Sequence, residues 1–176
     1  MKIIGIVGSL RKGSYNHGLV KAFKENLPDG VEMEVASISE LPHFNADLES
    51  EFPAPAQSLK NLVDASDALI IATPEYNRAV PGVLKNAVDW LSRPYGKNSF
   101  EGKPVLVVGA SPGGAGASLA QYQLKQSLLH LDAKVLGQPE FFVGGASEKF
   151  SAEGILTDEK TKEYIISAIK VLLAAA

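Results

Sequence analysis

Short apolar runs alternate along this chain with stretches whose apolar residues recur every three or four positions, and the alternation repeats five times. Lys2–Val7 (KIIGIV) reads as a buried strand that stops at Gly8. After a polar loop, Leu19, Val20, Phe23 and Leu27 fall at helical spacing, and Pro28-Asp29-Gly30 ends that helix. Val31–Ile38 alternates as a second strand. A proline-containing loop then runs from Leu41 to Pro55, and Gln57–Ala65 forms a second helix with Leu59, Leu62 and Val63 inward. Ala68–Thr73 (ALIIAT) and Pro104–Ala110 (PVLVVGA) are apolar throughout, as parallel strands covered on both faces require. Between them Pro81–Ser92 reads as a helix, with proline tolerated in its first turn. Ser118–Leu131 is a fourth helix, Lys134–Phe142 a fifth strand interrupted at Gly137 and Pro139, and Asp158–Leu173 a closing helix with Asp158 or Thr157 near its cap.

Five β-α repeats imply a parallel sheet covered by helices on both faces. Right-handed crossovers leave few topologies, and five strands suit the flavodoxin-like order 2-1-3-4-5, an α/β three-layer sandwich. No internal repeat or linker divides the chain, so residues 1–176 are expected to form one domain of ordinary size.

Composition narrows the chemistry. The 176 residues include no cysteine, which removes disulfides, thiolate nucleophiles and iron–sulfur ligation and fits a reducing cytoplasm. Three histidines, His17, His43 and His130, form no helical pair, so a histidine-rich metal site is not expected. The net charge of -3 and the absence of a basic block argue against nucleic acid as a partner. No apolar stretch approaches the roughly 18 residues that span a bilayer, and the N-terminal run is too short for a secretory signal.

In an open α/β sheet, ligands bind beyond the carboxyl ends of the strands at the topological switch point, here between strands 1 and 3. Three loops converge there. The first, Gly8-Ser9-Leu10-Arg11-Lys12-Gly13-Ser14-Tyr15-Asn16, leads straight into a helix whose N-terminal amides carry partial positive charge. With Ser9, Ser14 and Asn16 as side-chain donors and Arg11 and Lys12 as full charges, it describes a pocket for a phosphate monoester; Ser14 or Asn16 acting only as a helix cap is the simpler alternative. Gly8 and Gly13 have P-loop spacing, but Ser14 stands at the lysine position, so nucleotide hydrolysis is not expected. A Rossmann G-x-G-x-x-G is absent after strand 1, and the pattern begun by Gly114 and Gly116 meets Leu119 in its third place. The second loop, Thr73-Pro74-Glu75-Tyr76-Asn77-Arg78-Ala79-Val80-Pro81-Gly82, offers a proline-stiffened backbone, Tyr76 to pack on a planar heterocycle and Asn77 to hydrogen-bond to it; an ordinary strand-to-helix turn with Pro81 opening the helix is the simpler alternative. The third, Ser111-Pro112-Gly113-Gly114-Ala115-Gly116, permits close approach of backbone to a ligand.

At these residues the chain resembles the NAD(P)H-dependent FMN reductase family, which includes bacterial quinone, azo and chromate reductases. The likeness rests on GSLRKGSYN, on TPEYN followed by PGVLKNAVDW, and on SPGGAG, and it extends over roughly residues 2–173. It implies that Ser9, Arg11, Ser14, Tyr15 and Asn16 hold the FMN phosphate, that Pro74, Glu75, Tyr76 and Asn77 lie along the isoalloxazine, and that Ser111 and Gly113 close its other side. It implies FMN as cofactor, NAD(P)H as electron donor, and a small-molecule acceptor reduced by ping-pong hydride transfer through the flavin N5. No side chain need be a nucleophile or general base. It also implies a homodimer or homotetramer, with Trp90, Tyr95 and Tyr122 either at the subunit interface or in plain core packing. His43 is placed near the crevice, where it either shapes the acceptor pocket or is a surface histidine, and Glu75 either meets the ring or only orders its loop. A flavodoxin-type electron carrier or a flavin-binding regulator remains the alternative; flavodoxins are generally more acidic than this chain.

Overall fold

A computed structural model describes residues 1–176. Five β-α units follow one another: β1 (Lys2–Val7), α1 (Tyr15–Glu25), β2 (Glu32–Ala36), α2 (Ala54–Asp64), β3 (Ala68–Ala72), α3 (Gly82–Leu91), β4 (Pro104–Ala110), α4 (Ser118–His130), then β5 (Lys134–Val135), β6 (Phe141–Val143), α5 (Ala146–Lys149) and α6 (Glu159–Ala175). All strand pairings are parallel, and the order is β2-β1-β3-β4-β5, with β6 also on β4. The fifth strand is thus two short pieces on the same neighbour. Pro139 follows a cis peptide bond and supplies no amide, and the chain leaves the ladder at Gly137 before rejoining it at Phe141.

Strand alternation sorts the core into two layers. Ile3, Val7, Ile70, Ala72, Leu106 and Val108 face α1 and α6, where Leu19, Phe23, Ile165 and Ile169 meet them. Ile4, Ile6, Leu69, Ile71, Val105 and Val107 face α2, α3 and α4, against Leu59, Leu84, Val88, Leu124 and Leu128. Each fully buried side chain of this kind contributes on the order of 1.5–3 kcal/mol. Gly5 lets α1 lie directly on β1: a Cβ there would stand 2.9 Å from Val20 Cγ1.

Two elements escape the hydrophobic pattern. α2 begins at Ala54 rather than Gln57, because Pro53 and Pro55 fit its first turn instead of belonging to the loop. A six-residue 3₁₀ turn, Ala46–Glu51, buries nothing and so leaves no apolar periodicity; Asn45 caps it through Asp47 N–H. Asp158 caps α6 as expected, accepting from the amide and the hydroxyl of Thr161 at 2.8 and 2.6 Å. Of the two alternatives for Trp90, core packing is the one observed: it is fully buried, its indole N–H donates to Pro42 O at 2.8 Å, and Phe44 and Phe52 meet its ring edge-on. It belongs to the fold of one chain, whereas Tyr95 (92% exposed) and Tyr122 (50%) lie on the surface.

Candidate functional site

The carboxyl ends of β1, β3 and β4 open on a crevice of about 440 Å³. The first loop contributes Ser9, Arg11, Ser14, Tyr15 and Asn16 to its wall. The second contributes Pro74, Glu75 and Tyr76, and the third Ser111 with Pro112. Asn77 and Gly113 belong to the same loops but stand outside this wall, both exposed.

Within the first loop the polar groups divide into those already bonded and those free. Ser14 holds the N-cap position of α1, yet its buried side chain makes no capping bond, so the hydroxyl is unspent. The first helical bond is Gly18 N–H to Ser14 O, leaving the main-chain amides from Ser14 to His17 without an acceptor inside the helix. Arg11 is exposed, with its guanidinium 5.4 Å from the centre of the Tyr15 ring. A hydroxyl, a fan of amides and a guanidinium at one helix N-terminus are the donor set that a phosphate dianion takes.

Asn16 does something else with its side chain. Its Nδ2 donates to Ala110 O and its Oδ1 accepts from Ala110 N–H, both at 2.9 Å, in a fully buried position. The side chain is a clamp between α1 and the end of β4, and what Asn16 offers a phosphate is its main-chain N–H. His17 fixes the other flank: its Nε2 donates to Ser9 O at 2.9 Å. Ser9 Oγ accepts from Arg11 N–H at 3.3 Å, turning the loop over the helix end.

The second loop is tied to α4. Glu75 accepts from Ala120 N–H at 3.1 Å, capping α4 from a distance, because the residue at that helix start is an alanine with no capping group. Tyr76 and Ala79 exchange both main-chain bonds around Asn77 and Arg78, whose φ values of 53° and 64° make a type I′ turn. Asparagine tolerates that conformation; arginine does so at a cost, and Gln123 holds it there by donating to Arg78 O and accepting from Val80 N–H. The tip therefore presents Tyr76, half exposed, as a fixed wall of the crevice.

The third loop is ordered by its own serine and by α4. Ser111 Oγ accepts from Gly113 N–H at 3.2 Å. Gly116 sits at φ 57°, where a Cβ would meet Phe142 C at 2.7 Å, so only glycine fits. From below, the fully buried Gln121 donates to Gly116 O and Phe141 O. A helix end with free donors, an aromatic wall and a rim of Ser111 and Pro112 thus surround one cleft, and this donor set fits FMN.

Residues 1–148 match the family model described as NADPH-dependent FMN reductase. The chain belongs to the NADPH-dependent FMN reductase family. An NAD(P)H-dependent FMN reductase of Pseudomonas aeruginosa is 42% identical over 173 residues, covering 98% of this chain and 93% of that protein. A quinone reductase of Pseudomonas putida is 44% identical over 163 residues, covering 91% and 86%. Among solved structures, a flavoenzyme NAD(P)H:(acceptor) oxidoreductase from Paracoccus denitrificans superposes with a TM-score of 0.90 at 42% identity, over 98% of this chain and 95% of that one. The chain is accordingly an enzyme of the FMN reductase family, with FMN and NAD(P)H as its cofactors.

For this FMN reductase family member, sequence reasoning missed the residues that support the crevice: His17, Gln121 and Gln123, and the capping role of Glu75. Gln121 carried a signal, since it interrupts the inward stripe Ala117, Leu124 and Leu128 at helical spacing. No helix of the structure is long and apolar enough to cross a membrane.

Proposed function

We propose that this enzyme passes electrons from NAD(P)H to small oxidised acceptors, quinones foremost, with azo compounds, nitroaromatics and chromate as further members of the same acceptor class. The observation that carries this reading is the division of polar groups in the first loop: Asn16, Ser9 and His17 build the cradle, while the Ser14 hydroxyl, the α1 amides and the donors of Arg11 other than the one on Lys12 O are left for an anion. Bound with its phosphate there, FMN supplies the hydride chemistry that no side chain of this chain carries. Ser14, Arg11 and the amides from Ser14 to His17 hold the phosphate; Ser9 orders their loop. Tyr76 and Pro74 would form one wall for the ring and Ser111 with Pro112 the other. We infer ping-pong exchange, in which nicotinamide and acceptor use the same cleft in turn.

We also propose that residues 1–176 act as one unit and that the chain self-associates, as a homodimer or homotetramer, through the surface around α3 and α4. The exposure of Tyr95, Leu129 and Tyr122 supports this. Light scattering on the eluting protein checks it.

The deciding experiment is to load the purified protein with FMN, desalt it, add NADPH without oxygen and then a quinone. The expected result is retained flavin absorbance that bleaches and then returns with the quinone. Retained absorbance that does not bleach makes the protein a carrier or regulator. Absence of retained flavin refutes the assignment of the crevice.

A further inference from the structure

A second cavity, of about 390 Å³, adjoins the crevice and shares Ser9, Arg11 and Tyr76 with it. Its remaining wall is mostly apolar: Leu10 from the first loop, then Pro81 and Val83 at the start of α3. One further side chain with a polar function faces it, His43, from the loop after β2. That loop has no regular structure over residues 41–45, yet it is held on both sides of His43. Asn86 of α3 donates to Pro42 O at 2.9 Å and accepts from Phe44 N–H at 2.7 Å, so a single amide spans the main chain around residue 43. Trp90 N–H adds a second bond to Pro42 O, and the Phe44 ring lies 5.0 Å from Trp90 with the Arg93 guanidinium on it. Such anchoring is what places a side chain to within the tolerance that chemistry needs. The His43 ring itself makes no hydrogen bond or ion pair, unlike His17, whose Nε2 is committed to Ser9. The other charged or titratable groups lining the cavity are Arg11 and Tyr76.

We infer that this cavity receives the ring of a quinone and that His43 is its proton donor. The inference rests on the function proposed above, which supplies the hydride. Reduction of a quinone to a hydroquinone takes one hydride, carrying both electrons, and one proton. An imidazolium N–H bond of His43 breaks and an O–H bond forms on a quinone oxygen. His43 is left neutral and, being exposed, recovers a proton from solvent. The quinone is reduced, the cofactor is reoxidised, and the charges balance. Leu10, Val83 and Pro81 give the ring an apolar bed, and Asn86 is the positioning residue.

The test is His43→Asn in the FMN-loaded enzyme, which keeps a polar side chain of similar reach but removes the imidazole. Two acceptors are compared: a benzoquinone, which needs a proton, and ferricyanide, which takes an electron alone. Both acceptors are assayed across the same pH series in wild type and variant. In His43→Asn the ratio of quinone to ferricyanide turnover should drop about 10²-fold at the acid end, and the pH dependence of that ratio should flatten. An unchanged ratio and an unchanged pH limb in a variant that still retains flavin overturn this inference alone. A wild-type enzyme that retains flavin and reduces ferricyanide but no quinone overturns the inference together with the quinone reading.

Discussion

Replacing Asn16 with alanine should destabilise the fold, although Asn16 sits in a motif that reads as a ligand site. The side chain satisfies both main-chain polar groups of Ala110, and residue and partner are both about 2% exposed. Alanine leaves an N–H and a C=O without partners. Each such orphaned group costs about 1–3 kcal/mol, and the crevice lets some water approach, so the lower half of the sum applies, about 2–4 kcal/mol. For a chain of this length that corresponds to a fall in Tm of roughly 5–15 °C. Urea unfolding of the flavin-free protein by circular dichroism measures it, with an unchanged denaturant slope confirming that stability rather than compactness has moved. The matched control is Ser14→Ala. The Ser14 hydroxyl has no partner in the fold, so its loss should change the stability of the flavin-free protein by less than about 0.5 kcal/mol. It should instead weaken FMN retention about 10- to 10²-fold, the worth of one hydrogen bond to a charged group. A loss below about 0.5 kcal/mol in Asn16→Ala would refute the clamp, because two orphaned buried groups cannot cost so little.

Three further changes test other parts of the structure. Arg11→Ala should weaken FMN binding about 10- to 10²-fold, read by fluorescence titration, with little change in melting temperature because the side chain is exposed. Gly18→Ala should destabilise by about 3 kcal/mol or more and shift the loop around Gly154, since a Cβ at residue 18 would lie 1.9 Å from Gly154 O; a urea midpoint close to wild type would show that the loop yields freely. Asp158→Ala should cost about 1 kcal/mol at neutral pH through loss of the α6 cap. Thr161, by side-chain and main-chain hydrogen bonds, holds the Asp158 carboxyl below its usual range. A depressed folded-state pKa adds stability that is complete above the unfolded-state value of about 3.9 and is lost as pH falls through the folded-state value, so wild type and variant should converge in acid urea titrations.

The sheet was legible because its central strands are buried on both faces: ALIIA and PVLVVGA carry no polar residue, and only a parallel sheet under two helix layers tolerates that. Topology then located the crevice before any side chain was considered. Residue roles inside it were less legible. Ser9, Ser14 and Asn16 are all small polar residues in one loop, and composition cannot tell which of them spends its hydrogen bonds on the protein; that depends on Ala110, 94 positions away. Glu75 was similarly ambiguous until α4 was seen to begin with an alanine that cannot cap. The aromatic residues stayed open between core and interface for a related reason. Trp90 and Tyr95 stand five positions apart, one fully buried and one almost bare, because α3 ends at Leu91 between them.

The supports of the crevice come from a different place than its ligand groups. Groups left free for a ligand lie on the loop after β1 and the first turn of α1, whereas the groups that brace the surrounding segments lie on helices: Asn16 and His17 on α1 hold the end of β4 and the loop after β1, Asn86 and Trp90 on α3 hold the loop after β2, and Gln123 and Gln121 on α4 hold the loops after β3 and β4. Glu75 inverts the pattern, since a loop carboxylate there supports a helix end. Loops alone would pay the conformational cost of ordering each time a ligand arrived. Here that cost is met during folding, by side-chain amides whose partners are main-chain atoms at this end of the sheet. A surface optimised only for stability would have no reason to leave the Ser14 hydroxyl and the α1 amides unbonded beside so many satisfied groups. That contrast, more than the motif, is why the cleft reads as a binding site. It also makes the His43 loop informative: three side-chain-to-main-chain bonds fasten two residues that flank a histidine with no partner of its own.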